Sequence, residues 1–121
     1  MTQKILVVED QEDNRIILRD LLTRAGFEVI ETLNGQEGVD MAGTEQPDLI
    51  LMDIQLPVMD GYEATRRIKA NPELASIPVI AVTSYALSGD EAKAMAAGCD
   101  GYVTKPFSPR LLLAKVREFL P

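Results

Sequence analysis

A chain of 121 residues, 46% of them hydrophobic, suits one compact domain (1–121) that needs neither disulfides nor a structural metal to hold its core. Nineteen acidic residues against twelve basic ones give a net charge of −7, which argues against nucleic acid as a direct partner, because that binding rests on neutralising phosphates. Cys99 is the single cysteine, which excludes an internal disulfide framework and suits a small buried apolar group in a reducing compartment.

The first residues lack the pattern of a secretory leader, and no apolar run is long enough to span a membrane, so a cytoplasmic location is expected. The first element is Ile5–Val8, a short aliphatic run that stops at Glu9 and Asp10, as strands buried on both faces do. Leu18, Leu21, Leu22 and Ala25 then recur at helical spacing. Gly26 supplies a stop, and Glu12 and Asp13 favour the helix start through its dipole. Glu28–Glu31 is a weaker strand signal, and Gly35 and Gly38 both weaken the helix that follows, roughly Gly35–Ala42. Leu49–Met52 repeats the buried pattern and ends in Asp53. Asp60…Glu63 fits a capping box for the next helix, whose Arg66, Arg67 and Lys69 read as a solvated basic face. Val79–Val82 ends in Thr83 and Ser84, and Ser88…Glu91 is a second capping box. Gly101–Val103 is a brief last strand before Thr104, Lys105 and Pro106. Ser108-Pro109 then supplies an N-cap and a first-turn proline for a helix through Leu111, Leu112, Lys115, Val116 and Phe119.

Strand–helix alternation repeated five times implies an α/β fold with a parallel sheet, right-handed crossovers and helices on both faces. Ligands of such doubly wound sheets sit beyond the carboxyl ends of the strands. Those ends carry Glu9 and Asp10, Asp53, Thr83, and Lys105. Carboxylates brought together there repel by about 1 kcal/mol per pair in water, and several times that near a protein surface, so an offsetting cation is expected. Hard oxygen donors and the absence of histidine disfavour zinc and copper and favour magnesium (Mg2+). A divalent ion beside a lysine suits a transferring phosphoryl group. Each residue also has a plainer reading. Asp53 would cap a turn, the acids at 9–13 would form a solvated edge, Thr83 would be a strand residue and Tyr102 a packed aromatic.

Taken together and in order, VVED at 7–10, LILMDIQLPVMDG at 49–61, AVTSYA at 81–86 and YVTKP at 102–106 resemble the response regulator receiver domain of two-component signalling. The resemblance implies a flavodoxin-like (βα)5 sheet of order 2-1-3-4-5 and a phosphoryl group carried on Asp53, taken from a phosphohistidine on a sensor histidine kinase or histidine phosphotransfer protein. It implies that Asp10 binds magnesium directly and Glu9 through water, with Asp53 and the main-chain carbonyl of Gln55 as the other ligands. Lys105 would pair with Asp53 and then with the phosphoryl oxygens. Thr83 would hydrogen-bond the attached group, and Tyr102 would turn into the space Thr83 leaves. The Lys105–Pro106 bond would be cis, and Pro57 and Gly61 would shape the loop after Asp53. Gln55 and Tyr85 would tune dephosphorylation. Glu9 stands where many family members carry Asp, which implies altered metal affinity without loss of function.

On this resemblance the chain is a phosphorylation-activated regulatory domain, assisting only its own phosphotransfer and slow dephosphorylation. With Pro121 just after the fifth helix, output is expected through a protein effector on the face of the fourth helix, fifth strand and fifth helix; dimerisation on phosphorylation stays open. Ala86-Leu87 and the stripe Ala92, Met95, Ala96 offer an apolar surface there, and core packing explains part of it equally well. Three alternatives fit less. A dehalogenase-like hydrolase needs a D-x-D after the first strand, and a flavodoxin-like carrier needs a Ser/Thr/Gly-rich loop there. A receiver-shaped binding module would not need the acid–Asp–Thr–Lys set, which is intact. The stretch at 88–108 is similar both to stand-alone cell-cycle regulators and to receivers carried on hybrid histidine kinases.

Overall fold

The computed structural model describes residues 2–84 and 90–120. Elements alternate along the chain as β1 (Lys4–Val8), α1 (Glu12–Arg24), β2 (Glu28–Thr32), α2 (Gly35–Glu45), β3 (Leu49–Asp53), α3 (Gly61–Ala70), β4 (Val79–Thr83), α4 (Asp90–Ala97), β5 (Gly101–Thr104) and α5 (Pro109–Phe119). The five strands form one parallel sheet in the order β2-β1-β3-β4-β5, as the resemblance implies. All five expected strands are present, each a residue or so longer than its apolar run.

Successive strand residues point to opposite faces, so each buried strand feeds two cores. Leu6, Ile50, Met52, Val79 and Ala81 pack with Ala42 of α2, Ala64 and Ile68 of α3 and Ala94 of α4. Ile5, Val7, Leu49, Leu51, Ile80 and Val82 face Leu18 and Leu22 of α1 and Leu112 and Val116 of α5. Burying an aliphatic side chain of this kind contributes about 1.5–3 kcal/mol, so the three central strands make a rigid platform for whatever stands at their ends. The weak signal of β2 has a simple cause: it is an edge strand, and only Thr32 of its five residues is fully buried.

Two readings change with the structure. The helix read as Gly35–Ala42 runs on to Glu45, capped by the Asn34 side chain, which accepts from the Glu37 amide at 2.9 Å. Its glycines cost helix propensity but permit close packing: a Cβ on Gly35 would lie 2.1 Å from the Met59 carbonyl oxygen, and one on Gly38 2.8 Å from Val8. Lys69, read as part of a solvated face, is instead tied down, donating to Asp100 at 2.9 Å and to the carbonyls of Ile77 and Ala75 at 2.7 and 3.1 Å. Arg66 and Arg67 are exposed and pair with Glu63. The Asp60 and Ser108 caps form as expected, with Pro109 in the first turn of α5. The capping box at Ser88 and the Ala86-Leu87 pair lie outside the described residues.

Candidate phosphoryl and cation site

Register puts the functional side chains in a row. Asp53 pairs laterally with Val82 and Thr83 with Thr104, so the last residue of β3 lies one step below the last of β4. Backbone bonds continue past the strands: Glu9 N–H donates to Thr32 O, Ile54 N–H to Val82 O, and Lys105 N–H to Thr83 O. The chain is thus still held by the sheet where the polar residues begin. Behind Asp53, the N–H of Gly61 donates to Ile54 O at 2.8 Å. A Cβ on Gly61 would sit 2.2 Å from the Asp53 carbonyl oxygen, so only glycine lets α3 start this close to the strand end. Pro57 and the left-handed Val58 (φ 70°) turn the loop between them.

Three carboxylates meet in the crevice. Glu9, Asp10 and Asp53 each bring an oxygen within 4.8 Å of the others. Glu9 and Asp53 are buried, at 1% and 5% exposure, while Asp10 is the most open of the three. Lys105 reaches in from beyond β5, its peptide bond to the exposed Pro106 being cis. Its ammonium donates to Glu9 and lies 3.4 Å from Asp53. The nearer partner of Lys105 is therefore Glu9, where the resemblance implied Asp53.

The electrostatics follow from burial. Loss of water pushes the Asp53 carboxyl up to about 7, and the neighbouring Glu9 charge adds to this, against the opposing pull of Lys105 and of the Gln55 backbone N–H bonded to it. Burial also presses on Glu9, but hydrogen bonds from Lys105 and the Gln11 amide outweigh it and hold Glu9 below the ordinary carboxylate range. Asp10 is raised by burial and then by Glu9. In the crevice Glu9 is the anion that Lys105 neutralises, and the Asp53 carboxyl is shared between its protonated and ionised forms near neutrality.

Around this centre, Thr83 is buried, at 2% exposure, at the end of β4. Tyr102 is half-buried on β5 and packs against the core layer beneath α3 and α4. The Gln55 side chain is exposed, and Tyr85 lies outside the described residues. Cys99 is buried and touches the Thr65 hydroxyl, and burial pushes its thiol up, as an inert core position requires. Sequence reasoning missed Arg15, whose Nη1 donates to the Glu9 carbonyl at 2.9 Å. A contact to main chain leaves no mark in residue type, and only its place six residues after the acid hinted at it.

The donor set, three oxygens from carboxylates with no nitrogen or sulfur ligand among the described residues, fits a hard cation such as magnesium. On fold and site together the molecule is of the receiver class, and the family model for the response regulator receiver domain matches residues 5–117: the chain belongs to that family. It is 44% identical over 120 residues to the polar-differentiation response regulator DivK of Brucella ovis, spanning 99% of this chain and 98% of that protein. The receiver domain of the sensor histidine kinase PA1611 from Pseudomonas aeruginosa PAO1, solved with magnesium coordinated in its active site cleft, superposes with a TM-score of 0.93. It is 37% identical and is matched over 99% of this chain and 98% of its own. The receiver domain of Saccharomyces cerevisiae Ssk1, solved with the histidine phosphotransfer protein Ypd1, gives a TM-score of 0.89 at 31% identity, over 98% of this chain and 88% of that one.

Proposed function

We propose that the chain acts as one receiver unit in the cytoplasm, in which Asp53 accepts a phosphoryl group from a phosphohistidine of a sensor kinase or histidine phosphotransfer protein. The supporting observation is the placement of Asp53: a buried carboxylate with a lysine amine 3.4 Å away and two further acids beside it. In the transfer, an Asp53 oxygen bonds to phosphorus while the phosphorus–nitrogen bond breaks, and the imidazole leaves with the bonding pair and takes up a proton. Glu9, Asp10, Asp53 and the Gln55 carbonyl would hold magnesium. When bound, magnesium supplies positive charge that keeps the crowded carboxylates ionised and offsets the charge of the incoming phosphoryl oxygens.

The chain's own groups do the rest. Lys105 holds Glu9 and Asp53 in the crevice and then hydrogen-bonds the transferred oxygens, a charge-assisted contact stronger than a neutral one. Thr83 stands at the end of the adjacent strand, where its hydroxyl can donate to the same group, and Tyr102 follows it inward. That biases two conformations of the α4–β5–α5 face. Ala92, Met95 and Ala96 are exposed there, core packing falling to Ala94 and Ala97. A groove of about 410 Å³ between β5 and α5, lined by Tyr102, Phe107, Leu111, Ser108, Lys115 and Glu118, adds a surface of mixed polarity for a protein effector. Among the described residues no helix is long and apolar enough to cross a membrane. The role is regulatory, with catalysis confined to the domain's own phosphotransfer and slow hydrolysis, tuned by Gln55 and Tyr85.

Incubation with acetyl phosphate, with and without magnesium, followed by intact-mass measurement tests the reading. One magnesium-dependent phosphoryl group, absent from Asp53→Asn, is the expected result. A phosphoryl group that persists in that variant would move the acceptor elsewhere.

A further inference from the structure

We infer that Arg15 is a positioning residue for the cation site, fixing the peptide that joins Glu9 to Asp10 so that both carboxylates face the crevice. The inference rests on the reading of that crevice as a divalent-cation site. It starts from the way Glu9 is held. Its N–H donates to Thr32 O at 3.1 Å, one carboxylate oxygen accepts from the Gln11 amide at 3.1 Å, and the other accepts from Lys105. The remaining polar atom is the carbonyl, and Arg15 binds it at 2.9 Å.

That carbonyl belongs to the peptide plane between the two acids. Rotating the plane swings the start of Asp10 relative to the end of Glu9, so a bond to its oxygen fixes the aim of both side chains. Arg15 is itself well held. It projects from the first turns of α1, its side chain is only 16% exposed, and its Nε lies 3.8 Å from a Glu31 carboxylate oxygen on edge strand β2. Arg19 takes the other Glu31 oxygen at 3.2 Å. The guanidinium therefore links the acidic loop to the sheet edge, and a rigid fork is better suited to this than a flexible ammonium.

Sign separates this role from plain electrostatics. A guanidinium near a divalent site repels the ion, so removing its charge would tighten binding if charge alone mattered. Positioning predicts the reverse. The experiment titrates magnesium chloride into the whole chain by calorimetry, for wild type, Arg15→Gln, Arg15→Lys and Arg19→Gln, with thermal unfolding of each metal-free protein recorded alongside. Arg15→Gln is expected to weaken magnesium by about tenfold, as loss of an outer partner of a metal ligand commonly does, with Arg15→Lys in between. Arg19→Gln, which removes the same charge from the same helix, should not weaken it. The magnesium concentration needed for acetyl phosphate labelling should rise by the same factor, with the rate at saturating magnesium unchanged.

Unchanged or tighter magnesium binding in Arg15→Gln overturns the inference, as does a lowered melting temperature with unchanged affinity. Should Arg15→Gln fail to fold, Arg15→Lys decides: wild-type affinity there overturns the inference, and weakened affinity supports it. A wild-type chain that binds no magnesium would instead overturn the cation reading itself, and that is seen before any variant is compared.

Discussion

At the amino ends of β4 and β5, Lys69 meets Asp100 at 2.9 Å; at the carboxyl ends of β3 and β5, Lys105 lies 3.4 Å from Asp53. The two pairs look alike and are arranged for different ends. Lys69 donates to one carboxylate and two carbonyls, and the same Asp100 oxygen also accepts the Val79 amide at 2.9 Å. One charge answers one charge there, with every donor placed. At the other end a single ammonium stands among three carboxylates, two of them buried. That end is left short of positive charge, and burial, with the Glu9 charge adding to it, pushes the Asp53 carboxyl up to about 7. A matched pair fastens strands, whereas the mismatched one suits the cation and phosphoryl group proposed for it.

Giving both lysines the same substitution is the sharpest way to break this comparison. Lys105→Met should slow labelling by acetyl phosphate on the order of a hundredfold at saturating magnesium, the usual cost of removing one aligned cationic donor. Phosphorylation kinetics followed by mass spectrometry would measure it. A rate within a factor of two or three of wild type would mean that Lys105 merely fills space.

A pH series on Asp53→Asn probes an effect of similar size. The Asp53 carboxyl is raised in the folded state, so between pH 4 and about 7 the folded chain keeps a proton that the unfolded chain gives up. Stability of the metal-free wild type therefore falls as pH rises through that window. Asn carries no such proton, so the variant should be more stable at pH 8 by roughly 2–4 kcal/mol and nearly equal at pH 4. Magnesium should close the gap, because it binds the folded wild type. Denaturant unfolding at the two pH values checks this. A variant no more stable at pH 8 would show that folding does not raise the Asp53 carboxyl. Glu9, shifted the other way, loses its contribution only at lower pH, as it becomes protonated.

These charges also mark how far the sequence could be read. Ile5–Val8, Leu49–Met52 and Val79–Val82 were legible because central strands bury every residue, and the polar groups after them stand out against that background. Asp53, Asp10 and Lys105 stood out as candidates for the same reason. What a string hides is what depends on distance. Gly35 and Gly38 looked like helix breakers because their packing against Met59 and Val8 is tertiary. Lys69 looked solvated because two of its three partners are carbonyls, which have no residue type. The Lys105–Glu9 pair was hidden too: the added methylene of glutamate over aspartate carries the carboxylate to the ammonium, and spacing along the chain says nothing about that reach.

The smallest effect tests the other end of the sheet. Lys69→Met removes a donor from two carbonyls and a carboxylate, but water can reach part of the site, since Lys69 is 19% and Asp100 39% exposed. The loss should be about 1–2 kcal/mol by denaturant unfolding, the scale of a few partly solvated hydrogen bonds. Asp100→Asn should cost less, because an amide oxygen can still accept from Val79. Neither change should alter magnesium affinity or the rate of labelling, because the sheet holds the crevice through the buried residues of β1, β3 and β4 and not through this clasp. A shift in labelling rate without a matching loss of stability would mean that the two ends communicate along β4 and β5. The matched pair would then be part of the switch and could not be treated as a fastening apart from it.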